Sequence, residues 1–123
     1  MTIGQGGSGA AERREISDGT LVVHAQRDGN VHRLELCGEL DLANAATVEA
    51  ELEAALAEEE VEVVLDMRDL EFIDSTGIAL LVATLNRDDP EHPRVRFLLS
   101  ASLAVTRVLD LTGVGDRLPL AER

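Results

Sequence analysis

The chain contains no lysine, since all eleven of its basic residues are arginines. This absence excludes a P-loop nucleotide site and Schiff-base chemistry, because each depends on a lysine amine. The lysine partner of a phosphoaspartate is missing for the same reason. Tryptophan and tyrosine are also absent, and aromatic residues make up only 2% of the chain. The protein therefore has no aromatic platform on which to stack bases or sugars.

Cysteine is almost as scarce, with Cys37 as the single example. One cysteine excludes an internal disulfide and a cysteine-cluster metal site. It lies in an apolar strand candidate, which predicts a packed thiol rather than a reactive one. The sequence shows neither a signal peptide nor a run of about twenty apolar residues. We therefore expect a cytoplasmic protein.

Acidic residues outnumber basic ones by 24 to 11, which gives a formal net charge of −13. This charge argues against nucleic acid and against anionic membrane surfaces as partners. It indicates that a protein partner would present basic groups. A chain of 123 residues with 45% apolar content is long enough for one domain with a buried core, but too short for two.

Hydrophobic periodicity and turn residues predict an α/β fold. Residues 1–18 are rich in glycine, alanine and charge and are predicted as a flexible N-terminal tail, with one domain over residues 19–123. The predicted elements are strands at 21–27 and 31–37, a helix at 43–59, a strand at 61–66, a helix at 75–86, a strand at 95–99, a helix at 103–112 and a short final strand at 114–120. A tight turn makes the first two strands antiparallel, and helical crossovers make later pairs parallel. A mixed four- to five-stranded sheet packed with helices follows.

The most informative stretch connects the 61–66 strand to the next helix. After a short acidic connection, Asp74-Ser75-Thr76-Gly77 opens a segment whose apolar residues have the spacing of one helix face: Ile78, Leu81, Val82 and Leu85. The Ser75 hydroxyl is thus predicted at a helix N-terminus, beside free backbone N–H groups and the positive end of the helix dipole. Such a position accommodates a phosphate. A purely structural interpretation stays open, because Asp, Ser and Thr also begin helices as caps.

Several catalytic interpretations do not fit these residues. An aspartic protease does not fit because an extra residue separates Asp74 from Gly77, the chain has no second copy of the motif, which only a homodimer could supply, and the pattern is rich in helices. Asp66 follows an apolar strand like the phosphoaspartate of a receiver domain, but the acidic pair and the lysine of that site are missing. We expect it to bond the next loop instead.

Metal and hydrolase sites are also not indicated. His24, His32 and His92 lack metal-ligand spacing. The sequence has no Gly-x-Ser-x-Gly elbow for a serine hydrolase. The glycines of residues 4–9 do not follow a strand, so they do not form a nucleotide loop. We therefore predict a protein that is not an enzyme and that uses no cofactor or metal.

Three stretches of the chain together resemble the STAS domain. They are Gly38-Glu39-Leu40-Asp41 before an acidic helix, the stretch 65–77 that ends in Asp74-Ser75-Thr76-Gly77, and residues 103–113. Among STAS proteins the chain looks most like the bacterial anti-sigma factor antagonists, and the similarity spans residues 21–120. The order and spacing of the three stretches make it specific, whereas Asp-Ser-Thr-Gly alone would not be.

This resemblance implies a role in partner switching. The unmodified antagonist would bind an anti-sigma factor that is a serine kinase with an ATPase fold, and so release a sigma factor. The kinase would then phosphorylate Ser75, and the phosphorylated antagonist would dissociate from it. A metal-dependent serine phosphatase would remove the phosphate and restore binding. Asp74 and Gly77 would form the turn that presents Ser75, Thr76 would be an adjacent hydroxyl, and Asp41 would belong to the docking surface.

Two other functions remain open from the sequence. One is a STAS binding module that is never phosphorylated, such as a scaffold or an accessory subunit of a lipid-transport complex. The other is an enzyme or nucleotide-binding protein, against which the missing phosphate loop argues.

Overall fold

The computed structural model describes residues 12–122. The strands in this part of the chain are β1 (Glu12–Asp18), β2 (Leu21–Asp28), β3 (Val31–Leu40), β4 (Glu62–Ile73) and β5 (Val95–Leu98). The α-helices are α1 (Ala45–Leu56), α2 (Ser75–Arg87) and α3 (Leu103–Thr112), and a single 3-10 turn covers Gly115–Arg117. None of these helices has the length and hydropathy needed to cross a membrane.

The strands form one mixed sheet in which they lie in their chain order. β1 pairs antiparallel with β2 and β2 antiparallel with β3, while β3–β4 and β4–β5 are parallel pairs. Two-residue turns through Gly19 and Gly29, both at positive φ, join the antiparallel strands. Helices α1 and α2 make the crossovers between the parallel strands. The predicted α/β domain with a mixed sheet is confirmed.

The N-terminal boundary differs from the sequence prediction. Residues 12–18, which we assigned to the flexible tail, form strand β1 and pair with β2 along its length. Only Ile16 gives this strand an apolar contact with the core. Its pairing therefore depends mainly on backbone hydrogen bonds, which composition does not reveal. The rest of the predicted tail, residues 1–11, lies outside the described residues.

β4 is twice as long as predicted because what we interpreted as an acidic connection continues the strand. The step from Glu35 to Cys37 advances two positions along β3, while the matching step from Asp66 to Asp69 advances three along β4, and a second register shift follows at Gly38/Glu39. Each irregularity inserts a residue into β4 and breaks the apolar–polar alternation. The buried residues then recur every third position at Met67, Leu70 and Ile73. That spacing resembles neither a regular strand nor a helix.

The core lies on one face of the sheet. Alternate residues of the central strands point into it, and they pack with side chains from all three helices. The largest of them are fully buried: Phe97, Leu21, Leu36, Leu52, Leu65 and Leu81. The other face of β2 and β3, which we call the polar face, carries half-buried side chains at Val22, His24, Gln26, Arg33, Glu35 and Cys37.

Helix bounds and packing differ from the predictions in detail. α3 is confirmed and ends at Gly113 in the left-handed conformation, whereas α1 is shorter than predicted at both ends. In α2, Leu81 is fully buried as predicted, but Leu80 and Thr84 are buried deeper than Ile78, Val82 and Leu85. The final strand is reduced to one bridge between Leu120 and Phe97, because residues 115–117 form the 3-10 turn.

Gly38 is required by the close approach of β2 and β3. It lies at φ +109°, and a Cβ there would collide with the backbone carbonyl of Thr20. We predict that Gly38→Ala lowers the free energy of unfolding by about 1–3 kcal/mol from backbone strain alone. Urea denaturation followed by circular dichroism measures this. Gly29→Asn is the matched control, since φ is +64° there, nothing lies within 4 Å, and asparagine tolerates that conformation. Equal losses in both variants would contradict the collision.

Candidate functional site

Ser75 is the first residue of α2, and its side chain is exposed. No side chain between residues 12 and 122 hydrogen-bonds its hydroxyl. Thr76 beside it is half-buried. As the first two residues of a helix, Ser75 and Thr76 keep backbone N–H groups that the helix itself cannot satisfy. The structure therefore presents one free hydroxyl at a helix N-terminus.

Asp74 is the N-cap of α2 and holds this terminus in place. One carboxylate oxygen, Oδ1, accepts a hydrogen bond from the Gly77 N–H at 3.0 Å. The other, Oδ2, accepts one from the Leu42 N–H at 3.1 Å, in the loop between β3 and α1. The Asp74 N–H in turn donates to the Leu40 carbonyl at 3.1 Å. One bond thus closes the first turn of α2, and the other two fix the backbone beside Ser75 to the end of β3 and the connection between β3 and α1.

Gly77 allows the start of α2 to lie close against the sheet. It is buried, and a Cβ at this position would come within 2.5 Å of Ile73 Cγ1 and 3.1 Å of Leu40 Cγ. Both neighbours end strands of the central parallel pair. A larger residue would push the helix start outwards, and the exposed serine with it.

Asp41 lies on the neighbouring loop, one residue before Leu42, so the structure brings it to the same edge of the sheet as Ser75. Its Oδ1 accepts a hydrogen bond from the Ala43 N–H at 3.0 Å. Asn44 occupies the N-cap position of α1. The Asn44 side chain does not bond the helix, however. Its amide bonds the Asp41 N–H and the Glu39 carbonyl instead, which shapes the loop.

Two exposed apolar side chains flank the Ser75 loop, although no motif in the sequence marks them. Leu42 is 77% exposed and Phe72 is 43% exposed. Leu42 bonds Asp74 through its backbone, and Phe72 precedes Asp74 by two residues. The sequence gives only a weak indication that these two side chains are exposed, since Leu42 is an isolated apolar residue before a helix and Phe72 lies in a segment predicted as a loop. Apolar surface beside a fixed polar group is typical of a protein-docking surface.

The charged groups nearest in sequence to Ser75 are acidic. Asp69 and Glu71 are exposed near the C-terminal end of strand β4, and Asp74 is half-buried. The segment that leads to Ser75 is therefore acidic, in keeping with the net charge of the whole chain.

Asp66 is occupied and cannot serve as a phosphoacceptor. Its side chain is 1% exposed and accepts bonds from Arg68 Nε at 3.0 Å, from Arg68 Nη2 at 2.7 Å and from Arg33 Nη1 at 3.3 Å. Burial raises the pKa of this carboxyl, but the hydrogen bonds and charge of Arg68, with that of Arg33, outweigh it and hold the pKa below its usual value. We expected Asp66 to bond a following loop; it lies inside β4 and bonds the next residue on its own face.

The three histidines lie in separate places, each within 3.6 Å of a carboxylate oxygen: His24 of Glu15, His32 of Glu58 and His92 of Asp89. His32 points from β3 towards α1, while His24 lies on the polar face. His92 is exposed in the loop before β5.

Comparison with known proteins gives a family and a fold. The family model described as "Mlab, STAS domain" matches residues 23–121. No curated protein matches the sequence. An anti-sigma factor antagonist from Mycobacterium paratuberculosis has a similar structure, with a TM-score of 0.66 at 20% identity over 97% of this chain and 92% of that one. The anti-sigma factor antagonist SpoIIAA, in its unphosphorylated form, also has a TM-score of 0.66, at 22% identity over 82% of this chain and 89% of that one.

Loss of the Asp74 carboxylate should loosen both segments that it joins. We predict that Asp74→Ala lowers the free energy of unfolding by about 0.5–2 kcal/mol, the usual cost of losing an N-cap. Amide hydrogen exchange should also speed up at both Gly77 and Leu42. Asp69→Ala is the matched control, because that carboxylate is exposed and forms no hydrogen bond within the described residues. Unchanged exchange at Leu42 in Asp74→Ala would contradict the bridge.

Proposed function

The chain belongs to the STAS domain family, and from this premise we propose that it is an anti-sigma factor antagonist switched by phosphorylation of Ser75. In this proposal the unmodified protein binds an anti-sigma factor that is a serine kinase with an ATPase fold, which frees a sigma factor in the cytoplasm. Phosphorylation ends that binding, and a serine phosphatase restores it. The observation that carries the proposal is the exposed, unbonded Ser75 hydroxyl on a backbone fixed by Asp74. The two similar structures are named as anti-sigma factor antagonists, one of them in an unphosphorylated form.

The chain would be the substrate of phosphoryl transfer and not its catalyst. Ser75 Oγ would attack the γ-phosphorus of ATP held by the kinase, the bond to the leaving ADP would break, and the hydroxyl proton would pass to a base of the kinase. Asp74 is poorly placed to be that base, because both of its oxygens already accept backbone hydrogen bonds. A fixed, protruding hydroxyl favours this transfer, since positioning supplies most of the rate.

The phosphate would act through its charge. A phosphoserine carries about −1.5 to −2 charges at neutral pH. The helix N-terminus would stabilise it by about 0.3–1 kcal/mol, while the acidic neighbours Asp74, Asp69 and Glu71 would oppose it. At a docked surface the same charge meets like charge or loses its water, which costs several kcal/mol. Because about 1.4 kcal/mol is tenfold in affinity, one phosphate suffices to release a partner.

The docking surface in this proposal comprises Leu42, Phe72, Asp41, Thr76 and the Ser75 loop. Leu42 and Phe72 supply apolar area that a partner can bury, and Asp41 adds charge at the edge. The net charge of −13 predicts that the partner presents basic groups around an apolar centre. A phosphate at Ser75 would then stand inside the contact area.

A second candidate is a binding module of the same family that is never phosphorylated, such as a scaffold or a lipid-transport accessory subunit. The exposed apolar pair at Leu42 and Phe72 supports docking with or without a phosphate. The two candidates differ in whether a kinase modifies Ser75.

We predict that an ATPase-fold anti-sigma kinase from the same organism, with ATP and magnesium, adds a single phosphate to the protein. Peptide mass spectrometry should place it on Ser75. Ser75→Ala should remove the modification, whereas the matched control Thr76→Val should keep it. Modification of Thr76 in preference to Ser75 would contradict Ser75 as the phosphoacceptor, and no modification by any such kinase would favour the unphosphorylated module.

Affinity for the kinase should fall when position 75 carries a negative charge. We predict that Ser75→Asp weakens binding to the kinase at least tenfold, while Ser75→Ala binds like the unmodified protein, because only the former places an anion in the contact area. Leu42→Ser should also weaken binding about tenfold or more by removing buried apolar area. Leu111→Ser is its control: Leu111 is 80% exposed but lies at the far end of α3. Isothermal titration measures all four. Equal binding by every variant would exclude this surface.

A further inference from the structure

Three side chains of different chemistry converge on the polar face of the sheet, on residues separate from the Ser75 loop. They are His24 of β2 and Glu35 and Cys37 of β3. One ligand atom from each, an imidazole nitrogen, a carboxylate oxygen and the sulfur, lies within 4.8 Å of the other two. All three residues are half-buried, so they are held by the sheet but reachable from solvent.

The strand register explains why they meet. His24 lies directly opposite Glu35, and Cys37 lies opposite Val22, the residue two before His24. Residues two apart in a strand share a face, so Cys37 is the diagonal neighbour of His24. The backbone of both strands is fixed by the ladder on either side. The three donors are therefore arranged before any ion arrives.

We propose that His24, Glu35 and Cys37 bind one zinc ion, with a water molecule in the fourth position. Sulfur, imidazole nitrogen and carboxylate oxygen are the three donor types that zinc takes in proteins, at about 2.3, 2.0–2.1 and 2.0–2.2 Å. A tetrahedron with those bonds places its ligand atoms about 3.5 Å apart. Small side-chain rotations that move the ligand atoms by about 1 Å would therefore bring all three into bonding distance of the ion. On binding, the thiol proton leaves to solvent and the thiolate bonds the metal.

The charges around the cluster favour a cation. The carboxylates of Glu35, Asp69 and Asp66 act electrostatically on the Cys37 sulfur and place it in a negative potential. Of the cations around it, Arg33 and Arg68 are bound to Asp66, while Arg13 of β1 lines the same pocket as His24 and Glu35.

Glu15 completes the surroundings of the imidazole. On β1 it lies opposite His24, with its Oε1 3.6 Å from Nδ1. Carboxylates beside metal-binding histidines fix the ring and raise its basicity. Glu15 and Glu35 thus flank His24 on the two neighbouring strands.

Cobalt(II) is the probe that reports the sulfur directly. Titration of the chelator-treated full chain with Co²⁺, in a thiol-free reductant, should produce a thiolate-to-cobalt charge-transfer absorption that saturates at one equivalent. Zn²⁺ should then bleach it by displacement. Cys37→Ser should remove the absorption, and His24→Gln and Glu35→Gln should each weaken Co²⁺ affinity at least tenfold, given that loss of an outer partner alone costs about 10- to 100-fold.

His32→Gln is the matched control, since His32 belongs to the same strand β3 but points to its other face. It should bind Co²⁺ like the unchanged chain. Zn²⁺ should also raise the melting temperature of the unchanged chain but not of Cys37→Ser, because binding to the folded state alone stabilises it. The proposal is overturned if no thiolate absorption appears, or if His24→Gln and Glu35→Gln bind Co²⁺ as tightly as His32→Gln.

Discussion

The geometry of the serine loop depends on the Asp74 carboxylate, which joins two crossovers of the parallel sheet. Its two oxygens bond the N–H groups of Gly77 and Leu42, one in each of the segments that follow β4 and β3. The carboxyl ends of parallel strands meet at one edge of a sheet, so these segments are neighbours by topology. Topology alone leaves them free to move, however. The carboxylate hydrogen-bonds the two segments to each other, and so fixes the relative positions of Ser75, Leu42 and Asp41.

Much of this architecture was predictable from the sequence. The hairpin of β2 and β3, the helix α3 and the start of α2 at Ser75 all carry strong local signals: a turn with Asp28-Gly29, a Gly113 stop and an Asp74 cap. Each signal acts within a few residues along the chain. The predicted N-terminus of α2 followed from such signals, and the helix begins at Ser75.

The misjudged parts share a physical cause, because they depend on pairing with distant segments. β1 holds its place by a ladder to β2, and β4 continues past Asp66 only because two extra residues are accommodated against β3. The bridge between Asp74 and Leu42 spans 32 positions of sequence. The cluster of His24, Glu35 and Cys37 likewise depends on strand register. A sequence motif for a metal site is a spacing of ligands along one strand or helix, whereas these three donors come from two paired strands.

A phosphate on Ser75 would change what a partner meets more than it would change the domain itself. The Gly77 N–H is already bonded by Asp74, so only the Ser75 and Thr76 amides remain to a phosphate at the helix start. Their attraction of about 0.3–1 kcal/mol is opposed by the neighbouring Asp74 carboxylate, and the two effects largely offset each other. The fold would thus gain little and lose little. The added charge would remain uncompensated at the surface, beside Leu42 and Phe72, where an approaching protein would have to pair it or desolvate it. A switch of this kind would need no second conformation, because the loop would hold the charge within the proposed docking surface.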